Sequence, residues 1–412
     1  MSKQSYFYLI LQLFNVFVGL FVALFIARNV DVETFAIFSI YSIVLALFTT
    51  FTFLGYENVL IRNVLHWKKQ GQNNKIKNLV SNAIFSRVVT SLLLQLPIFI
   101  YLFYLSVTKF NHEYFMVLCS FNLAGIFSAL SNANGLILKA FNRFLLSFSI
   151  ITISSLLGRV IAIVVFLHYG FDGFILTLIV VPFFTFVISI YFIKDLFSFK
   201  NIRYKYFWKF KRYKYFIFSG YLNYFKVSID QLLVSIFLSA EILAVYNLAK
   251  KVEDIGRTII SSFFEASLQK LVFYKSDKVQ ATEYKNKVYL IKNVFLACII
   301  VFVLIFDYLV GDIVKLLGLE HYKFLESYLI IASWVPVLYL NYKIESHIIS
   351  LFEVQEKLFA MDVLISLFSV VVALLFLFYF PLEFIYLNRV FIGGVLIVYY
   401  TFYYKKKFDG RF

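Results

Sequence analysis

Nine basic residues lie within or at the edge of long apolar runs: Arg87, Arg159, Lys226, Lys250, Lys251, Arg257, Lys292, Lys343 and Arg389. The acids well inside those runs are fewer, namely Asp230, Glu253, Asp254, Glu265 and Glu345. Guanidinium groups grip phosphate oxygens in a bidentate way and ammonium groups act as point charges. A surplus of cations in a wet interior therefore fits an anionic cargo. Helical spacing predicts which charges neutralise one another. Lys226 with Asp230, Lys250 with Asp254 and Glu253 with Arg257 stand at i,i+4, and Lys251 competes for Asp254 at i,i+3. Such pairs can equally be structural. Arg87, Arg159, Lys292, Lys343 and Arg389 have no acid at i±3 or i±4. Of these, Arg87, Lys292 and Arg389 sit nearer the ends of their runs, where long cationic side chains can snorkel to the interface. Lys343 shares a helical face with His347, while Glu345 points the other way.

Catalytic chemistry finds no support. His66, His112, His168, His321 and His347 are scattered, with no HExxH, no nucleophile elbow and no phosphate-cradling glycine loop. The expectation is a protein that is not an enzyme and has no metal or cofactor. Without a built-in ATPase, energy for transport must come from an ion gradient or from the cargo's own gradient. Asp230, Glu253, Asp254, Glu345 and His347 are the candidate proton or cation carriers. Cys119 and Cys298 each lie inside an apolar run with no near neighbour, which indicates neither a disulfide framework nor a zinc site.

The elements that position these charges follow from composition. Of 412 residues 62% are hydrophobic and 15% charged, with a mean hydropathy of +0.84. A soluble domain carries about 25% charged residues, so a water-soluble fold could not hide this apolar surface. In lipid each backbone polar group must be satisfied within its own segment, which selects helices of about 20 apolar residues. Twelve such spans are predicted, near 7–27, 35–55, 79–104, 114–136, 144–167, 171–193, 216–238, 242–268, 288–308, 327–351, 358–380 and 383–404. The eighth is the least hydrophobic. Counting Lys and Arg on alternate sides gives 26 on one and 4 on the other, which places both termini in the cytoplasm.

The net charge of +16 does not indicate a nucleic-acid binder, because the cations fall between apolar runs. The tract NIRYKYFWKFKRYKY from Asn201 to Tyr215 fits a linker lying on an anionic leaflet better than an RNA-binding patch. The chain also repeats. Glu33 to Ile40 (ETFAIFSI) and Glu241 to Leu248 (EILAVYNL) share one pattern at an offset of 208 residues. Six spans per repeat bring both halves in from the same side, so the expected fold is all-α, with two parallel-repeat six-helix bundles around a central cavity. The expected domains are an N-terminal bundle over 1–198, a basic aromatic linker over 199–215 and a C-terminal bundle over 216–412.

The residues themselves resemble the polysaccharide transporters of the multidrug/oligosaccharidyl-lipid/polysaccharide exporter superfamily. RNVDVETFAIF from Arg28 to Phe38 is similar to the family's segment between the first two spans, with Val30 for leucine and Ala36 for glycine. GYENVLIR from Gly55 to Arg62 resembles the segment after the second span. LNYFKVSIDQ from Leu222 to Gln231, followed by Glu241 to Ala249, resembles the seventh-span pattern and its continuation, with Ala244 for glycine.

The resemblance implies a Wzx-type flippase that moves an undecaprenyl-pyrophosphate-linked oligosaccharide across a bacterial inner membrane by alternating access, for O-antigen or another surface polysaccharide. Arg159, Lys226, Lys251 and Lys343 would contact or steer the pyrophosphate, with Arg87 and Arg389 as further binding cations. Asp230 would hold Lys226, and Glu253, Asp254, Arg257, Glu345 and His347 would couple ions or pair structurally. Implied partners are the polyprenyl-linked sugar, membrane lipid, and a polymerase and chain-length regulator of the same pathway, with no nucleic acid. A multidrug or cation antiporter of the same superfamily would need more acids, and a polysaccharide polymerase would need a larger outer loop than the segment from Asp307 to Glu326.

Overall fold

The computed structural model describes residues 3–53, 64, 67, 68, 70–110, 112–141, 143–202, 210–273, 278–352 and 355–408, with side chains of some of these left aside. The motif from Gly55 to Arg62 and the central part of the basic tract, 203–209, lie outside the described residues, as does the His347 side chain. The described residues are helical throughout, without strands. The helices are α1 (Lys3–Asn29), α2 (Val32–Phe51), α3 (Asn73–Thr108), α4 (Phe115–Ala140), α5 (Phe144–Ile193) and α6 (Phe210–Val227). They continue with α7 (Ile229–Phe237), α8 (Ala240–Phe273), α9 (Lys278–Leu316), α10 (Leu325–Phe352), α11 (Gln355–Tyr379) and α12 (Leu387–Phe408).

Each predicted span falls on this series. α5 carries the fifth and sixth, divided at Gly170, whose φ of +66° is the left-handed conformation that glycine adopts without a Cβ penalty. The seventh span is split between α6 and α7. Eight helices among the described residues are long and apolar enough to cross a membrane. The others, α6 with α7, α8 and α10, hold Lys226, Asp230, the cluster from Lys250 to Arg257, Lys343 and Glu345. The polar cargo of the protein is therefore concentrated in three spans. α9, read as 288–308, is longer than the bilayer requires: its 39 residues rise about 58 Å, against roughly 30 Å of hydrocarbon.

Two compact units emerge, one of Met1–Val32 with Phe225–Phe412 and one of Glu33–Tyr224. This division differs from the sequence-order domains, because α1 packs with the later helices. The Tyr322 hydroxyl donates to the Ala27 carbonyl at 3.0 Å, and a Cβ on Gly318 would lie 3.6 Å from the Arg28 Nε. Burial, with Asp31 nearby, raises the Tyr322 phenol above its usual range, so it stays a donor. The repeated segments open two helices in the same way. Glu33 lies in the first turn of α2 and Glu241 in that of α8, each followed by fully buried residues, Ala36 and Ile37 in one, Ala244 and Val245 in the other.

Within the first unit α8 crosses α10 at Gly256, where a Cβ would meet the Pro336 ring carbon Cγ at 2.3 Å. A proline ring cannot rotate away, so Gly256→Ala is expected to force the helices apart and destabilise the protein by about 1–3 kcal/mol. An unchanged unfolding temperature of G256A in detergent would refute this contact.

Candidate functional site

The break between α6 and α7 organises the charges of the first unit. At Ser228 the backbone leaves the helix (φ −138°, ψ −1°), and the Val227 carbonyl loses its helical partner. In hydrocarbon an unsatisfied carbonyl costs several kcal/mol, so a broken span needs substitute donors. Arg389 of α12 donates from Nη1 to the Val227 oxygen, and Lys250 of α8 donates from Nζ to the same oxygen at 3.2 Å. The break also moves Asp230 into the first turn of α7, where its Oδ1 accepts the Gln231 amide at 2.9 Å.

Around this point a buried network closes. Arg389 Nε lies 2.5 Å from Asp230 Oδ2 and 3.5 Å from Glu253 Oε2. Glu253 Oε1 lies 2.9 Å from Arg257 Nε. The Tyr246 hydroxyl donates to Asp230, and the Tyr386 hydroxyl donates to Glu253 at 2.6 Å. The two tyrosine rings pack with centroids 4.7 Å apart. Arg389 is 3% exposed and Glu253 fully buried, so neither reaches water.

The arrangement corrects several pairings read from spacing. Lys226 pairs with Asp362 of α11 at 2.8 Å, not with Asp230, because the break at Ser228 interrupts the i,i+4 register that the pairing assumed. Lys250 turns to the Val227 carbonyl, with Asp254 acting on it through the field. Glu253 with Arg257 does pair as spacing predicts. Lys292, read as lacking an acid on its own helix, meets Glu345 of α10 at 3.1 Å and donates to the Asn341 carbonyl at 2.9 Å. Arg87, Lys292 and Arg389 do not snorkel: each is at least nine-tenths buried and held by protein groups.

A double-mutant cycle reads the corrected partner. Lys226→Met with Asp362→Asn is expected to show a coupling of about 0.5–3 kcal/mol, and Lys226→Met with Asp230→Asn close to none. The opposite ranking would restore the pairing with Asp230.

Lys343, half-buried, sits with Nζ 5.5 Å from the centre of the Tyr339 ring, and Arg257 lies 5.2 Å from the same ring. Tyr339 thus has two cations near its ring, a favourable use of the ring quadrupole. Lys251 is half-buried on α8, next to the network. In the second unit, Arg159 is half-buried midway along the first segment of α5, within electrostatic reach of Tyr41, whose hydroxyl donates to the Leu178 carbonyl at 3.0 Å. Arg87 donates from Nη1 to the Thr49 carbonyl at 3.2 Å and to Thr52 Oγ1 at 2.7 Å, and its guanidinium lies 5.2 Å from the centre of the Phe53 ring. Among the described residues no group of three or more His, Cys, Asp or Glu is placed to hold a metal. Spacing missed Asp362, Tyr246 and Tyr386, since each acts from a different part of the chain than its partner, Tyr386 from the turn just before α12.

Comparison with known proteins supplies the family. Residues 2–269 match the model of a family described as polysaccharide biosynthesis protein. The chain belongs to this family. Solved structures that resemble it include the lipid II flippase MurJ in an inward closed conformation, at 18% identity over 97% of this chain and 87% of that one, with a TM-score of 0.70. Another is a multidrug resistance MATE family transporter of the MOP superfamily in an inward-facing conformation, at 14% identity, with 96% and 95% of the chains covered and a TM-score of 0.70. A MOP superfamily transporter from Pyrococcus furiosus, for which a reversed binding-pocket polarity was described, aligns at 14% identity over 98% and 96% with a TM-score of 0.65. A search of curated proteins returned no match. The polysaccharide biosynthesis family member is thus a multi-pass membrane protein with the fold of the MOP superfamily.

Proposed function

We propose that the protein is a flippase that moves an undecaprenyl-pyrophosphate-linked oligosaccharide repeat unit from the cytoplasmic to the outer leaflet of a bacterial inner membrane. It would serve O-antigen or another surface polysaccharide, with both termini in the cytoplasm, and would work by alternating access without catalysing a bond change. A polymerase and a chain-length regulator would act on its product. The observation that carries the reading is the match to a polysaccharide biosynthesis family in a chain with a transporter fold. The half-buried cations Arg159, Lys251 and Lys343 support it, since a charge at bilayer depth costs about 2.5–3.5 kcal/mol on the insertion scale and is retained where it meets a ligand or a cavity. The antiporter alternative fits less well, because Asp230 and Glu253 already face guanidinium groups and a mobile cation would have to displace a fixed one.

Deletion of the gene with analysis of lipid-linked intermediates tests the reading. Complete single repeat units should accumulate on the cytoplasmic face. Single units found already translocated would point to a polymerase instead, and an unchanged lipid pool would remove the flippase reading.

A further inference from the structure

In the second unit, α3 and α4 frame a groove of about 460 Å³. Leu92, Gln95, Leu96 and Phe99 line it from α3 at i, i+3, i+4 and i+7, and Cys119 and Asn122 line it from α4, so one face of each helix is turned to it. The Phe99 ring packs edge-on against Phe115, with centroids 5.7 Å apart, where α4 begins. Both helices are long and apolar enough to cross a membrane, and Leu92, Leu96 and Phe99 are exposed. An exposed face this apolar lies in hydrocarbon, so the groove opens to lipid or to another membrane-spanning chain.

Gln95 is out of place on this face. It lies about 14 Å along the helix from the nearer end of its predicted span, 79–104, close to the middle of roughly 30 Å of hydrocarbon. It is half-buried, and among the described residues nothing hydrogen-bonds its carboxamide. Two further polar atoms add to the deficit. Pro97 has no N–H to give the Leu93 carbonyl one turn before it. Asn122, 7% exposed, uses Nδ2 on the Cys119 carbonyl at 3.3 Å, while its Oδ1 has no partner among the described residues. Unmet polar groups at this depth are costly, so they call for a partner that carries donors and acceptors into the membrane.

We propose that a second copy of the chain docks on this groove, with the Gln95 carboxamides of the two copies hydrogen-bonded to each other. Acyl chains fill an apolar groove but bring neither donor nor acceptor. Two copies inserted in the same orientation bring Gln95 to the same depth. A carboxamide has two donors and an acceptor, so a two-fold axis along the membrane normal lets each Gln95 give what the other lacks. Side chains of this kind join helices in membranes when packing surrounds them, and Leu96, 68% exposed beside Gln95, supplies that packing. A glutamine kept for the fold of one copy would have its partner within that copy, and the described residues hold none. Nothing in this contact depends on which cargo is carried.

The test uses the full chain, labelled at its C-terminus with one fluorophore, in phosphatidylcholine liposomes over a range of protein-to-lipid ratios, with photobleaching steps counted per particle. Wild type should bleach in two steps, and Gln95→Leu should raise the protein density needed for pairing at least about fivefold, through loss of the interhelical hydrogen bonds. Gln95→Asn, which keeps an amide, should fall between the two. Q95L is expected to keep the wild-type unfolding temperature, so that lost pairing is not lost fold. Single-step bleaching of wild type at every ratio overturns the proposal, and so does pairing of Q95L at the wild-type density. A membrane-permeant bismaleimide then locates the contact. With Cys298→Ala, Cys119 should link two copies, whereas with Cys119→Ala, the exposed Cys298 on α9 of the first unit should not. Equal linking through both cysteines overturns the groove as the interface. A single-step wild type whose Cys119 is shielded from maleimide only while Gln95 is present gives the groove to a small amphipath and overturns the second copy.

Discussion

Arg389→Met is expected to lose about 3–5 kcal/mol of stability, the effect of removing one partner from a buried ion pair. The magnitude follows from what the guanidinium touches. It faces Asp230 at 2.5 Å and Glu253 at 3.5 Å and donates to the Val227 carbonyl. Methionine fills a similar volume but offers no donor. Among the described residues, Asp230 would keep the Tyr246 hydroxyl and the Gln231 amide as donors to a buried carboxylate, and the Val227 oxygen would keep Lys250.

The companion variant Asp230→Asn with Arg389→Met removes both charges and is expected to recover part of the loss, because an uncompensated charge is dearer than an absent pair. Chemical denaturation in detergent, read through the intrinsic tryptophans, gives both numbers. A loss under about 1 kcal/mol in R389M, or a double variant less stable than R389M, would show that the network does not hold the broken span together.

The same residues show how far the sequence could be read. Helix number and position were legible because lipid imposes one length and one polarity on every span, and Gly170 marks the division inside α5 where a boundary was expected. The pairing of Glu253 with Arg257 was legible because both stand on one helix. Partners on different helices were not. Nothing local to Arg389 names Asp230, and nothing local to Lys292 names Glu345.

The break at Ser228 was also hidden, since the segment YFKVSIDQ contains neither proline nor glycine. Its consequence reaches beyond itself: one lost helical register sends Lys226 to Asp362, frees a carbonyl for two cations and leaves Asp230 for Arg389. The place of α1 with the later helices was likewise invisible, because hydropathy fixes the length of a span and not the neighbours it packs against.

Arg159→Gln and Lys343→Gln are each expected to lower translocation by about ten- to a hundredfold while the protein remains inserted and folded. The range is that of one hydrogen bond to a charged group, about 1.5–3 kcal/mol, converted at tenfold per 1.4 kcal/mol. These two residues differ from Arg389 and Arg87 in burial. Arg389 and Arg87 are 3% and 2% exposed and are held by protein groups, so their loss is first a loss of fold. Arg159 and Lys343 are half-buried, Arg159 within electrostatic reach of Tyr41 and Lys343 near the Tyr339 ring.

Their removal should therefore leave the unfolding temperature near that of wild type. Arg159→Lys keeps the charge but not the planar fork, and should retain part of the activity if phosphate is gripped there in a bidentate way. Assay of surface polysaccharide in cells carrying each variant, alongside protein abundance in the membrane, separates function from folding. Normal polysaccharide in both glutamine strains would leave these cations without a role in the cargo's path.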